Sequence, residues 1–203
     1  MTSRGKPSRR RRRPIQRRAQ ETIDAILDGT VRLLKSGSRR AITTNHIART
    51  AGVSIGSVYQ YFPDKRAIFA ALHDRHVEEA SRRIDATLVS NTGAPLEVLL
   101  RALMRALGEV HAADPELYLF LHAELPPGGR GAHTLHDRLR DVLRLALAAH
   151  TTKVGRELET TAFVVTHLLD ALVHGAVLHR PRQVSLRSAQ DEFLQAILRY
   201  LCL

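Results

Sequence analysis

Residues 43–65, TTNHIARTAGVSIGSVYQYFPDK, decide the fold. Ile47, Ala48 and Ala51 make one apolar stripe at helical spacing, Val58 and Phe62 make another, and Ala51-Gly52-Val53-Ser54 separates the two. The pattern is two short helices joined by a tight turn. Thr43 is placed to cap the first helix, Gly52 to take the positive φ of the turn, and Ser54 to accept an orphaned amide at the start of the second. The outward positions of the second helix, Ile55, Gly56, Ser57, Tyr59, Gln60 and Tyr61, are small or hydrogen-bonding. Such a surface suits an N-terminal turn pressed against base edges and phosphates.

A helix-turn-helix spacing alone is a weak signal, because Gly-bearing turns join short helices in many domains. The charge distribution adds to it. The formal charge of +11 divides into +9 over residues 1–20, +3 over residues 21–66 and −1 over residues 67–203. Basic character therefore belongs to an N-terminal arm and the helix-turn-helix, which fits a polyanionic partner, while a neutral body argues against a protein coating nucleic acid over its whole surface. At 203 residues and 44% hydrophobic, the chain can bury a core and is long enough for one small unit and one of ordinary size.

The arm carries Arg9, Arg10, Arg11, Arg12 and Arg13 between a Ser-, Gly- and Pro-containing start and Pro14, and it reads as disordered in the free protein. Two roles stay open for it: a solvated tail that aids solubility, or a flexible arm lying in the minor groove beside the helix-turn-helix. The lone Cys202 leaves no intramolecular disulfide, and the basic start lacks an apolar segment behind it, so a reducing cytoplasm without a signal peptide is the expectation. The most apolar run, Phe163 to Leu178, is interrupted by His167, Asp170 and His174 and reads as a buried helix of a soluble protein.

Ahead of the motif, Ile23, Ile26, Leu27, Val31 and Leu34 share one helical face between Arg17 and Lys35, with Gly37 as a C-terminal cap. Behind it, Ile68, Phe69, Leu72, Ala80, Ile84 and Leu88 keep helical spacing from Lys65 to about Ser90 without an internal Pro or Gly. Five further helical segments follow, over 95–113, 115–125, 132–151, 157–179 and 186–203, with breaks at Asp114-Pro115, Pro126-Pro127-Gly128-Gly129, Gly155 and Arg180-Pro181. The expected fold is all-α.

The string Thr43-Thr44, Ile47-Ala48, Ala51-Gly52-Val53-Ser54, Gly56-Ser57-Val58-Tyr59, Tyr61-Phe62 and Lys65 resembles the DNA-binding domain of the tetracycline-repressor (TetR) family. The likeness covers residues 17–85 by motif and the remainder by helical layout. It implies a disordered arm at 1–16, a DNA-binding domain at 17–64 and an effector-binding and dimerisation domain at 65–203 whose connector helix spans about 65–90. By position it also implies the DNA contacts. Thr44 and Asn45 open one helix and Ile55, Gly56 and Ser57 the next; Tyr59 and Tyr61 grip the backbone; Lys65, behind the cap Asp64, clamps phosphate. Ile55 departs from a hydrogen-bonding reader and is left to meet a thymine methyl or to fill space. The family pairs its last two helices across a dimer seam, which implies a homodimer on a roughly palindromic double-stranded operator, released by an unidentified small-molecule effector.

Histidines are frequent. His73 with His76, and His133 with His136, repeat an i, i+3 spacing and read as solvated or surface-satisfied pairs, with a metal role as the lesser alternative. His167, Asp170 and His174 lie on one stripe of a mostly apolar helix, where three roles fit: hydrogen bonds across the dimer seam, polar groups facing a ligand cavity, or a metal site. Glu109, His111, His122 and Glu124 are further polar candidates on inner helices. No nucleophile elbow, zinc-protease motif or phosphate-binding glycine loop is present, so neither enzyme chemistry nor a cofactor is expected. The competing function is a sequence-tolerant DNA-organising protein in which the arginine arm dominates.

Overall fold

The computed structural model describes residues 12–37, 42–125, 130–150 and 156–202; the side chains of residues 12–15, 122, 130–135 and 156 lie outside the described set. Among the described residues all regular structure is helical: α1 (Arg12–Lys35), α2 (Thr44–Ala51), α3 (Ile55–Tyr61), α4 (Lys65–Ser90), α5 (Leu96–Ala113), α6 (Pro115–Glu124), α7 (Arg130–His150), α8 (Arg156–Leu178) and α9 (Leu186–Leu201). The chain forms two compact units, Met1–Leu72 and His73–Leu203. The first two turns of α4 thus count with the first unit, because Ile68, Phe69 and Leu72 are almost fully buried.

Helix α1 starts at Arg12, ahead of the Arg17 that the sequence reading sets, so Arg12 and Arg13 belong to a helix and not to an arm. Pro14 does not prevent this, since the amides of a helix's first turn have no intrahelical acceptor to lose. Arg9, Arg10 and Arg11 lie outside the described residues.

In the first unit, Ile26, Leu27 and Leu34 of α1 bury against Ile47 and Ala48 of α2 and Val58 of α3. Each such side chain contributes about 1.5–3 kcal/mol on leaving water. Close approach of α1 and α2 depends on Gly29, where a Cβ would fall 2.9 Å from both the Cβ and the backbone nitrogen of Ala51. Arg32 ties the same helices, donating from Nη2 to the Thr50 carbonyl at 2.9 Å. Gly29→Ala is therefore expected to lower the unfolding free energy by about 1–3 kcal/mol. Urea denaturation followed by circular dichroism checks this, and unchanged stability would mean that the helices part without cost.

The second unit is built around α5, which packs on α8 and α9, while α7 packs on α8. Leu99, Leu100, Leu103, Met104 and Leu107 of α5 meet Leu139, Leu143 and Leu147 of α7 and Val165, Leu169 and Val173 of α8 in one core. Gln190 of α9 is buried and donates from Nε2 to the Met104 carbonyl at 3.1 Å, over Gly108. Helix α8 is long and apolar enough to cross a membrane by length and composition, with a mean hydropathy of 1.6 in its most apolar window, yet 39% of that window is buried. The sequence reading of a buried helix is thus half right. One side of α8 lies in the core, and the stripe of Phe163, Val164, His167, Leu168 and Ala171 stays exposed or half-exposed.

Candidate functional site

The helix-turn-helix is set by local chemistry. Thr43 Oγ1 accepts from the His46 amide at 3.3 Å and caps α2. Gly52 takes φ 70° in the turn, a conformation that glycine adopts without steric cost. Ser54 Oγ accepts from the Ser57 amide at 3.0 Å and caps α3, while Asp64 Oδ1 accepts from the Ala67 amide at 2.8 Å and caps α4.

These caps aim two helix N-termini at one open groove of about 310 Å³, lined by Ile42, Thr43, Thr44, Tyr59, Pro63, Asp64 and Lys65. Thr44 Oγ1 and Tyr59 OH share a hydrogen bond of 3.1 Å at its wall. Tyr59 is 53% exposed, so its phenol is available to an outside partner. First-turn amides of α2 and α4, the Lys65 ammonium and two hydroxyls all offer donors here; the carboxylate of Asp64 is partly committed to its own helix. The arrangement can hold an anionic oxygen such as a backbone phosphate.

Of the DNA contacts that the resemblance implies, the groove gathers Thr44, Tyr59 and Lys65. Asn45, Ile55 and Gly56 are exposed beside it, whereas Ser57 and Tyr61 are half-buried. The Ser57 hydroxyl is engaged with that of Ser54 at 2.8 Å, which makes it part of the cap. A Cβ built on Gly56 meets nothing closer than Ser54 Oγ at 3.7 Å, so the fold itself leaves room for a side chain there.

The second unit holds a cluster of polar groups. Tyr118 of α6 sits at its centre: its ring lies 4.2 Å from that of His111, 5.5 Å from that of His76 and 4.9 Å from that of His174, and its hydroxyl hydrogen-bonds His174 Nδ1. His136 Nε2 lies 3.2 Å from Asp170 Oδ2. Beneath this pair is a cavity of about 20 Å³ lined by Leu107, His111, His136, Leu139, Asp170 and Val173. That is room for about one water molecule, far below the roughly 300–1,000 Å³ of a small-molecule site.

Environment divides the titratable groups. Burial, followed by the neighbouring His111 and His73, lowers His76 to about 4. Its Nε2 is buried without a hydrogen-bond partner. Burial likewise lowers His111, although the bond of its Nδ1 to the Leu107 carbonyl at 2.6 Å works the other way. Burial and then the Asp170 charge raise Tyr118. For Asp170, burial pushes upward, but the hydrogen bond and charge of His136, with His174 and His111, outweigh it and hold the carboxyl below its ordinary range.

Sequence reasoning and geometry meet only in part here. His111, Asp170 and His174 come together, as steps along α5 and α8 allow. His167 is exposed, packed on Phe163 at 4.1 Å between ring centroids and stacked on His136 at 5.9 Å, outside the cavity lining. Glu109 is exposed on α5, and the side chain of His122 lies outside the described residues. His76 corrects the reading of its pair as solvated or surface-satisfied: it packs against His111 and Tyr118, because neighbouring helices cover the face on which it projects. His136 bonds Asp170 at a partly exposed position, and the side chain of His133 lies outside the described residues. Tyr118 carries no sequence signal of this role. Among the described residues no group of three or more His, Cys, Asp or Glu is arranged to hold a metal ion.

Fold and surface together define a helix-turn-helix DNA-binding protein with a separate helical second domain. The family model "Bacterial regulatory proteins, tetR family" matches residues 26–72, and "Tetracyclin repressor-like, C-terminal domain" matches residues 95–201. The chain belongs to the TetR family and is a DNA-binding transcriptional regulator, not an enzyme. It is similar to nucleoid occlusion factor SlmA of Marinobacter nauticus, 27% identical over 85% of this chain and 90% of that protein. Among solved structures it is similar to a TetR-family regulator from Streptomyces coelicolor (24% identity, TM-score 0.65, covering 89% of this chain and 97% of that one). It is also similar to FadR of Bacillus subtilis in complex with stearoyl-CoA (18% identity, TM-score 0.65, covering 85% and 96%). These last two likenesses speak for the fold.

Proposed function

We propose that the protein is a ligand-responsive repressor that binds a palindromic operator as a homodimer in the cytoplasm. The observation that carries this reading is the pairing of an unobstructed α3 start, open at Gly56, with the donor-lined groove of Thr44, Tyr59 and Lys65. One element enters the major groove while the other holds the flanking phosphate. The exposed apolar stripe of α8, with Phe163 51% exposed, and Tyr200 on α9 support a dimer seam formed by the last two helices. Two such readers about one helical turn apart require a palindrome.

Effector control rests on the polar cluster. A ligand entering a cavity of about 20 Å³ must part the helices that line it, and His76 brings α4, which starts at Lys65 of the DNA groove, to the edge of that cluster. A ligand needs roughly 5.5 kcal/mol of preference for the released conformation to turn a 99:1 population over. The deciding experiment is selection of bound duplexes from a random pool at physiological salt. A palindromic consensus is expected. The likeness to a nucleoid occlusion factor supports a second reading, a DNA-organising protein. Enrichment of A·T content without a palindrome would favour it and overturn the first.

Within the groove, Tyr59→Phe and Lys65→Ala are each expected to weaken operator binding about tenfold. Lys65→Ala should also flatten the dependence of log K on log salt by about 0.9. Fluorescence anisotropy across a salt series measures both, with melting temperatures unchanged. A variant that fails to fold would instead make its residue part of the core.

A further inference from the structure

Among the described residues the charge of Asp170 is opposed only by imidazoles: His136 through a 3.2 Å contact, then His174 and His111. Among the described residues no lysine or arginine pairs with it. The rest of the cavity lining is apolar, from Leu107, Leu139 and Val173. An anionic ligand would meet a carboxylate among imidazoles, one of which, His111, resists protonation. A cation would meet a carboxylate, with which an N–H donor makes a charge-assisted hydrogen bond. The Asp170 and His136 side chains are 46% and 35% exposed, so the carboxylate can be reached from solvent.

We infer that the effector is a hydrophobic primary or secondary amine in its ammonium form, held by Asp170 in place of His136. This rests on reading the second unit as the effector domain. The ammonium takes the carboxylate, His136 of α7 leaves Asp170 of α8, and the apolar part of the ligand enters between Leu107, Leu139 and Val173. Displacement of one intramolecular pair is thus the step that makes room.

The test uses the full chain without DNA and three probes of similar shape: 2-phenylethylamine, 2-phenylethanol and 3-phenylpropionate, titrated calorimetrically at neutral pH. The amine is expected to bind at least about tenfold more tightly than the alcohol, and the carboxylate more weakly than either. Asp170→Asn should erase the preference for the amine. His136→Gln, which removes the internal competitor, should strengthen amine binding and leave alcohol binding unchanged, a direction that mere structural damage does not produce. Should Asp170→Asn fail to fold, His136→Gln decides alone. Equal affinities, preference for the carboxylate, no amine binding, or weakened amine binding in His136→Gln would each overturn the inference. Anisotropy with operator DNA separates the two levels. Amine binding without DNA release refutes effector control but keeps the site, whereas release by some other compound with no amine binding refutes the ligand class alone.

Discussion

Gly56→Leu is expected to cut operator affinity by about 100-fold while leaving the protein as stable as before. The argument rests on what the fold does and does not ask of this position. Glycine inside a helix costs about 1 kcal/mol relative to alanine, so a helical glycine needs a reason. Gly29 has an internal one, since its Cβ would strike Ala51 at 2.9 Å. Gly56 has none: its Cβ position is open, its residue is exposed, and α3 is regular around it. On the proposed DNA contacts, the demand for smallness comes from outside the protein, from a duplex that the first turn of α3 approaches closely. Leucine there would hold the helix off the base edges and lengthen the phosphate contacts proposed for Thr44, Tyr59 and Lys65. Gly56→Ala should fall between, with a melting temperature at or above that of the parent. Anisotropy and thermal melting on both variants give the answer. Undiminished binding by Gly56→Leu would mean that the start of α3 does not face the duplex, and the groove would then have to serve some other anion.

The helix-turn-helix is legible because each of its decisions is local. Thr43, Gly52, Ser54 and Asp64 act on amides or dihedrals within three residues of themselves, and the structure uses each of them as its spacing implies. The breaks at Asp114-Pro115 and Arg180-Pro181 are legible for the same reason, being written in Pro, while those expected at 126–129 and Gly155 lie outside the described residues. The polar cluster is not. His76 and His136 sit three residues from another histidine on helices with mixed faces, and nothing in that spacing tells a covered face from a bare one. Only the packing of α5, α6 and α8 around them does. Tyr118 is harder still, because its meaning lies in His174, 56 positions away. The same limit applies to α1: its start depends on how little a first-turn proline costs, which composition reads as an arm.

Acidification is expected to destabilise the second unit by about 3 kcal/mol through His76 alone. His76 titrates at about 4 in the folded chain against an ordinary 6.5. Between those values the unfolded chain binds the proton and the folded chain does not, so stability is full above pH 6.5, falls with falling pH, and levels off below about 4. His111, lowered by burial, has the same sign. So has Asp170 at lower pH, since its depressed carboxyl stabilises the fold only while ionised. The groups facing His76 do not reverse this. His111 and His73 repel the imidazolium, and Asp114 and Glu79, which would favour it, weigh less than burial. His76→Phe keeps a ring against His111 and Tyr118 and removes the buried nitrogen that lacks a partner, a defect worth about 1–3 kcal/mol. The variant should therefore match or exceed the parent at pH 8 and lose most of the slope between pH 6.5 and 4 in urea denaturation. A parent slope that survives the substitution would assign the acid sensitivity to His111 and Asp170. Parent stability that is flat over the interval would mean that the cluster opens to solvent before His76 is charged, and that His76 is not held between α5 and α6 in solution.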